Sequence, residues 1–274
     1  MAMKALLRTV LISCIFLVCR PYLTGATLVL CENPHTTRKD SMEVIYQSLL
    51  NKNYEKALDY LTLILKKELA LQHAAPATLS YLFGNMGICY KNLWQFEEAI
   101  EAYTKALEYS IRAYGKRSAY TATIYNNLGN LYNTTGEYNT AALYLQNALD
   151  IYQHLAPAVP AEESRVLNNL GNNANKTGNY EQAYRYTLQS IEKRKQAGET
   201  NLGNPYHNLA NILVQLGRYN EAEEYFRLST DHLSYAPKST SQDLVMAYLS
   251  YGLFLTDQAG ATEEGKNMYQ QALA

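Results

Sequence analysis

Asparagine returns at one fixed spacing through the middle of this chain. The residues six before, two before, one after and five after a recurring small residue read Thr123, Asn127, Asn130 and Thr134 around Gly129. Around Gly171 they are Arg165, Asn169, Asn172 and Lys176, and around Ala210 they are Asn204, Asn208, Asn211 and Gln215. Tyr81, Asn85, Ile88 and Asn92, around Gly87, form a less polar copy. On a helix these offsets share a face. A side-chain amide both donates and accepts hydrogen bonds, so a row of them can pair with the N–H and C=O groups of an extended backbone with little regard to its sequence. Asparagine is up to ~0.7 kcal/mol worse than alanine per helical residue, so its recurrence in mid-helix needs a cause. Duplication offers a plainer one, because copied units inherit the same residues and a solvated face tolerates them.

Other chemistry is nearly absent from the sequence. The histidines His35, His73, His154, His207 and His232 lack partners at metal-ligand spacing, and no Cys-x-x-Cys occurs. Gly115-Lys116-Arg117-Ser118 is like the end of a phosphate loop, but the earlier glycine is missing. There is no Gly-x-Ser-x-Gly elbow, and His207 reads as a helix surface residue rather than a base. The expectation is a protein that is not an enzyme and uses no cofactor or metal. Asn133-Thr134-Thr135 and Asn175-Lys176-Thr177 are glycosylation sequons, which matter only in a eukaryotic secretory pathway.

The elements that must carry the asparagines repeat as well. Ile45, Gly87, Gly129, Gly171, Ala210 and Gly252 stand 42, 42, 42, 39 and 42 residues apart. Nine residues after the first five anchors comes an aromatic (Tyr54, Phe96, Tyr138, Tyr180, Tyr219), and twelve after them an alanine (Ala57, Ala99, Ala141, Ala183, Ala222). The sixth copy slips by one. Apolar residues at helical spacing, such as Tyr125, Leu128 and Tyr132, make a packing stripe, and the small anchor and alanine let two helices approach closely. Gly136, Gly178 and Gly217 supply the left-handed residue that ends the first helix of a pair. Asn51 to Asn53 can do so in the first copy, whereas Trp94 departs from the pattern. The spacing predicts twelve antiparallel helices from about Ser41 onward. Inter-repeat turns fall at Tyr114 to Ser118, Ala156 to Glu162, Ala197 to Pro205 and Ala236 to Ser241, with the three-residue deletion in the third of them.

These residues resemble the tetratricopeptide repeats, whose first helix ends in Leu-Gly-x-x-Tyr and whose second begins Tyr-x-x-Ala. The resemblance runs from Ser41 to Ala274 and is strongest over Asn85 to Leu107 and Asn127 to Leu149; Ala174 and Thr187 replace expected large residues in the fourth copy. The common repeat has about 34 residues, and the longer unit here is similar to kinesin light chain repeats and to bacterial sensor and scaffold arrays. The resemblance implies an all-α, right-handed superhelical solenoid of about six helix pairs and a non-enzymatic scaffold that binds a protein or peptide. It also implies that the asparagine face lines the concave groove, through Asn85, Asn127, Asn130, Arg165, Asn169, Asn172, Lys176, Asn204, Asn208 and Asn211. A chaperone-type carboxylate clamp would need lysine three before the anchor, where this chain has Gly84, Asn126, Asn168 and His207. The alternative is the N-terminal sensing or recruiting part of a longer protein, with a caspase-like peptidase, histidine kinase or DNA-binding domain after it. That reading is suggested by the run Met268 to Ala274, which stops inside a second helix without a polar cap.

The first 26 residues have a different character. Lys4 and Arg8 precede the apolar stretch Thr9 to Cys19, and Thr24-Gly25-Ala26 closes it, the layout of a secretory signal peptide. Eleven apolar residues are too few to span a bilayer, which needs about twenty, but joined to Tyr22 to Cys31 the run becomes a membrane anchor. The expected order is therefore residues 1–26 as signal or anchor, 27–40 as linker and 41–274 as repeat domain, in an exported, periplasmic or secreted protein. A membrane contact would run only through an uncleaved N-terminus. Cleavage leaves a net charge of −4, which with no basic stripe argues against nucleic acid, and it leaves Cys31 and Cys89, too few for a disulfide framework. The 25 tyrosines against 5 phenylalanines are expected chiefly in helix packing, with an aromatic peptide-gripping surface as the other reading.

Overall fold

In the computed structural model the described residues are 36–70, 74–235, 241–257, 260 and 262–273. The expected signal or anchor, most of the linker and the turn at 236–240 lie outside them. All twelve elements are helices, and no strand occurs among the described residues. They are α1 (Thr36–Leu50), α2 (Tyr54–Ala70), α3 (Pro76–Asn92), α4 (Phe96–Tyr114), α5 (Ala119–Thr135), α6 (Tyr138–Gln153), α7 (Pro160–Lys176), α8 (Tyr180–Gln196), α9 (Gly203–Gln215), α10 (Tyr219–Ser234), α11 (Ser241–Asp257) and α12 (Thr262–Leu273). Odd-numbered helices carry the anchors and are the A helices; even-numbered ones are the B helices. The first helix starts at Thr36, so its opening turn occupies the end of the stretch read as linker.

Local signals account for where the helices begin and end. Ser118 caps α5, its hydroxyl accepting from Thr121 N at 3.2 Å, which places Gly115 to Ser118 in an inter-repeat turn. The same helix stops at Gly136, which is left-handed at φ 86°. Two side-chain-bearing residues take that role in the earlier copies: Lys52 at φ 56° and Trp94 at φ 63°. Trp94 is thus no break in the pattern of turns; it adopts the strained conformation itself, with its indole 78% exposed.

In the second, third and fourth pairs the anchor glycine meets the B-helix residue sixteen positions on, Tyr103, Leu145 and Thr187. A Cβ on Gly129 would lie 2.5 Å from Leu145 Cγ and 3.1 Å from the carbonyl oxygen of Ala141. Glycine at the anchor and alanine opposite therefore set the helix separation, and Leu145, fully buried, gains about 1.5–3 kcal/mol from leaving water. In the sixth pair Gly265 replaces the alanine, its carbonyl 3.1 Å from a Cβ on Gly252, as the one-residue slip requires. The deletion falls within the expected stretch, Ala197 to Pro205, on its helix side. The turn between α8 and α9 is not shortened; α9 has 13 residues where α3, α5, α7 and α11 have 17. About one helical turn is therefore missing from the start of this A helix.

The pairs stack into a right-handed superhelical solenoid of about six repeats. Each B helix packs on the A helix after it, and A helices also touch across repeats, α5 with α7 and α9 with α11. Those contacts set the A helices of successive repeats side by side along one side of the solenoid. No described helix is long and apolar enough to cross a membrane.

Candidate functional site

The A-helix side of the solenoid presents the residues flanking the anchors, and packing divides them into two sets. One set bonds across repeats. Asn169 Nδ2 donates to Asn126 Oδ1 at 2.9 Å, and Asn130 Nδ2 donates to Asn169 Oδ1 at 3.3 Å. Lys91 of α3 donates to Asn130 Oδ1. Beside this chain, Asn133 Nδ2 donates to the Asn169 carbonyl at 3.1 Å, while Asn173 Nδ2 donates to Asn133 Oδ1 at 2.7 Å and to the Tyr138 carbonyl at 2.8 Å. Successive A helices approach closely enough to remove water from these groups, and buried polar atoms then require partners. The outcome is a ladder of amides holding repeats two, three and four together. The register recurs farther on, where His207, three before its anchor, meets Ser250, two before the next, at 3.5 Å.

The second set forms no bond across repeats. Asn127, Asn172, Asn204 and Asn208 make no side-chain hydrogen bond among the described residues; Asn172 and Asn204 are exposed, Asn127 and Asn208 half-buried. Asn211 bonds back to the His207 carbonyl at 3.0 Å, leaving its oxygen unused. Arg165 pairs with Glu162 at 3.1 Å, and Lys176 is exposed in the last turn of α7, where a cation suits the helix dipole.

Several residues expected in an open groove are elsewhere. Asn85 is 1% exposed, with Nδ2 on the Tyr81 carbonyl at 2.9 Å and Oδ1 without a partner; Tyr81 and Ile88 beside it are buried too. The face is closed in that copy because its neighbours belong to the apolar core shared with α1 and α2. Thr123 is buried with its hydroxyl 2.8 Å from that of Tyr152. His207 is half-buried rather than on the surface, its ring edge-on to Phe226 with centroids 6.2 Å apart. Burial lowers its pKa, and Asp243 acts weakly against that. Cys89 is fully buried, and burial pushes its thiol up to about 12, in keeping with a packing role.

Sequence reasoning missed Lys91, Asn126, Asn133 and Asn173, which lie off the chosen offsets. The doublets Asn126-Asn127, Asn168-Asn169 and Asn172-Asn173 were the available signal, since neighbouring helical residues cannot both face the same surface. Lys91 is the one ladder member carrying charge. Burial lowers its pKa, no carboxylate pairs with it among the described residues, and an ammonium with three donors has given one of them to Asn130.

The arrangement can hold a hydrogen-bonding chain along the A-helix side, and no group of residues that could hold a metal ion occurs among the described residues. Residues 77–154 and 162–233 match the sequence model of the tetratricopeptide repeat. No curated protein matches the chain in sequence. Among solved structures it is similar to BtubC (BKLC) from P. vanneervenii, with a TM-score of 0.69 and 16% identity over 80% of this chain and 89% of that one. A Rap protein complexed with Competence and Sporulation Factor gives a TM-score of 0.65 and 18% identity over 89% and 67%. PilW, a type IV pilus biogenesis factor, gives 0.63 and 17% over 88% and 100%. At such identities the likeness is one of fold.

Proposed function

This chain belongs to the tetratricopeptide repeat family, and from that premise we propose that it is a non-enzymatic scaffold binding an extended peptide or protein segment along its A-helix side. The observation that carries the reading is the second set of amides. Asn127, Asn172 and Asn208 stand on three consecutive A helices with unused donors and acceptors, at a cost in helix propensity that no internal bond offsets. A peptide backbone supplies the missing partners, and the spare donors of Lys91 suit a carboxylate on it. The ladder beneath keeps α5 and α7 in register, so the free amides of Asn127 and Asn172 are presented at fixed spacing and little ordering is left for the bound state. A similar fold, the Rap protein, is complexed with Competence and Sporulation Factor, which supports a ligand-holding role for such a solenoid. The signal-like layout of residues 1–26 supports a scaffold that acts outside the cytoplasm, released after cleavage near Ala26 or tethered if the segment is retained.

The test starts from peptides selected against the full chain from a random-sequence display library. Changing Asn127, Asn172 and Asn208 together to alanine removes three hydrogen-bonding amides worth about 0.5–1.5 kcal/mol each, so binding should weaken at least about ten-fold without loss of folding. Undiminished affinity in the folded triple variant would remove the asparagines from the binding surface.

A further inference from the structure

Away from the A-helix asparagines, B helix α10 and A helix α11 enclose a shallow open depression lined by Asn220, Glu223, Glu224, Arg227 and Tyr251. Tyr251 forms its buried side. The residue is only 5% exposed, with its ring stacked on Phe226 at 5.6 Å between centroids. Its hydroxyl has no hydrogen-bond partner within the described chain, yet it is not sealed from solvent, so it opens onto the depression. A phenol held this firmly and left unpartnered can donate one hydrogen bond and accept another, and its lone pairs are open to an incoming N–H.

The charge around it has one sign in excess. Glu223 and Glu224 line the depression, and neither forms an ion pair among the described residues; Arg227 is the single cation of the lining and is likewise unpaired. Burial first, and then the negative charges of Glu223 and Glu264, hold the Tyr251 phenol up at about 12, with Arg227 acting the other way. The phenol therefore sits in a net negative field. A cation with N–H donors matches this lining: the carboxylates of Glu223 and Glu224 outnumber Arg227 and attract the charge, while the Tyr251 hydroxyl and the Asn220 amide oxygen accept hydrogen bonds.

We propose that this depression is a second binding site, independent of the asparagine groove, that takes an organic cation of the ammonium or guanidinium class. The cation comes either from a lysine or arginine side chain of a partner segment or from a free small amine. Electrostatic attraction at an open site is screened, so binding should weaken as salt rises.

The experiment titrates the isotope-labelled full chain by NMR at low salt with N-acetyl-lysine amide, N-acetyl-arginine amide, pentane-1,5-diamine and, as the uncharged control that keeps the lysine stem without its nitrogen, N-acetyl-norleucine amide. The cations should shift the amide signals of residues 220–227 and of Tyr251, and norleucine should not. A stronger response to the capped amino acids assigns the site to a basic protein segment, and a stronger response to the diamine assigns it to a free amine. Glu223→Gln with Glu224→Gln changes two exposed side chains, so the variant folds, and it should weaken cation binding at least about ten-fold. Tyr251→Phe keeps the ring packing and should weaken it about two- to ten-fold, the worth of one hydrogen bond. Equal shifts from norleucine, or unchanged binding by the double glutamine variant, overturns the proposal. Neither result bears on the asparagine groove.

Discussion

Changing Asn169 to alanine separates a structural asparagine from a free one, when set beside the same change three residues on at Asn172. Asn169 donates to Asn126 at 2.9 Å and accepts from Asn130 at 3.3 Å. Alanine removes both bonds and strands the Asn126 oxygen, which sits in a residue only 9% exposed. Two bonds at about 0.5–1.5 kcal/mol each give a loss of about 1–3 kcal/mol. The better helix propensity of alanine returns up to ~0.7 kcal/mol, for a net destabilisation of about 0.5–2 kcal/mol. The bond from Asn133 survives because it ends on the Asn169 main-chain carbonyl. Asn172 has no bond to lose and is exposed, so Asn172→Ala should stabilise by up to ~0.7 kcal/mol. Urea titration followed by circular dichroism reads both. A solenoid need not unfold in a single step, so hydrogen exchange of the α7 amides accompanies it and should report faster opening only in Asn169→Ala. Equal stability of the two variants would refute the assignment of Asn169 to the ladder, and with it the division of the asparagines into two sets.

Other outcomes follow from the same geometry. Gly129→Ala forces a Cβ to 2.5 Å from Leu145 and should lower stability by about 1–3 kcal/mol, read as a fall in Tm; no change would mean that α5 and α6 are held apart by something other than the anchor. Trp94→Gly relieves a left-handed backbone at φ 63° and should raise stability by about 0.5–1 kcal/mol, whereas a lower Tm would show that the contact of Trp94 with Phe96 outweighs the strain. Cys89, with its thiol at about 12, should resist iodoacetamide at pH 8 in the native chain and react once urea unfolds it, as peptide mass mapping would show. His207 has its pKa lowered by burial, so the unfolded chain binds that proton first as pH falls through the ordinary value of about 6.5. The stability it confers is complete above that value and is lost below it. Tm should therefore drop more between pH 7.5 and 5.5 in the wild type than in His207→Gln, and parallel curves would remove His207 from the pH response.

Much of the fold was legible because each repeat states it independently. The anchors at 42-residue spacing, the alanine twelve residues on and the glycine at the turn each follow from a local geometric need: close approach, close approach and a left-handed residue. Six copies make the pattern hard to miss. Trp94 and Lys52 show its limit, because the backbone can meet the need without glycine when the chain on both sides is already fixed in a helix. The shortened α9 was not legible, since counting residues between anchors does not say whether a turn or a helix lost them. The site was half legible. Asparagines on one helical face can be read from spacing, but whether an amide is used internally depends on which residue the next repeat brings opposite it. Asn127 and Asn169 occupy the same offset from their anchors; Asn169 faces Asn126 and Asn130, whereas the helix before Asn127 presents Gly84 at the position equivalent to Asn126. A glycine offers no side-chain partner, so one amide is bonded and the other is free. That difference lies between repeats and not within either of them.

The most direct test of the scaffold reading is where a selected peptide sits. With the side-chain amides of asparagine resolved by NMR in the full chain, addition of a display-selected peptide should shift the NH2 signals of Asn127, Asn172 and Asn208 together. It should leave the exposed B-helix residues Asn139 and Asn147 in place. Shifts confined to the B helices, with those three amides unmoved, would contradict the account.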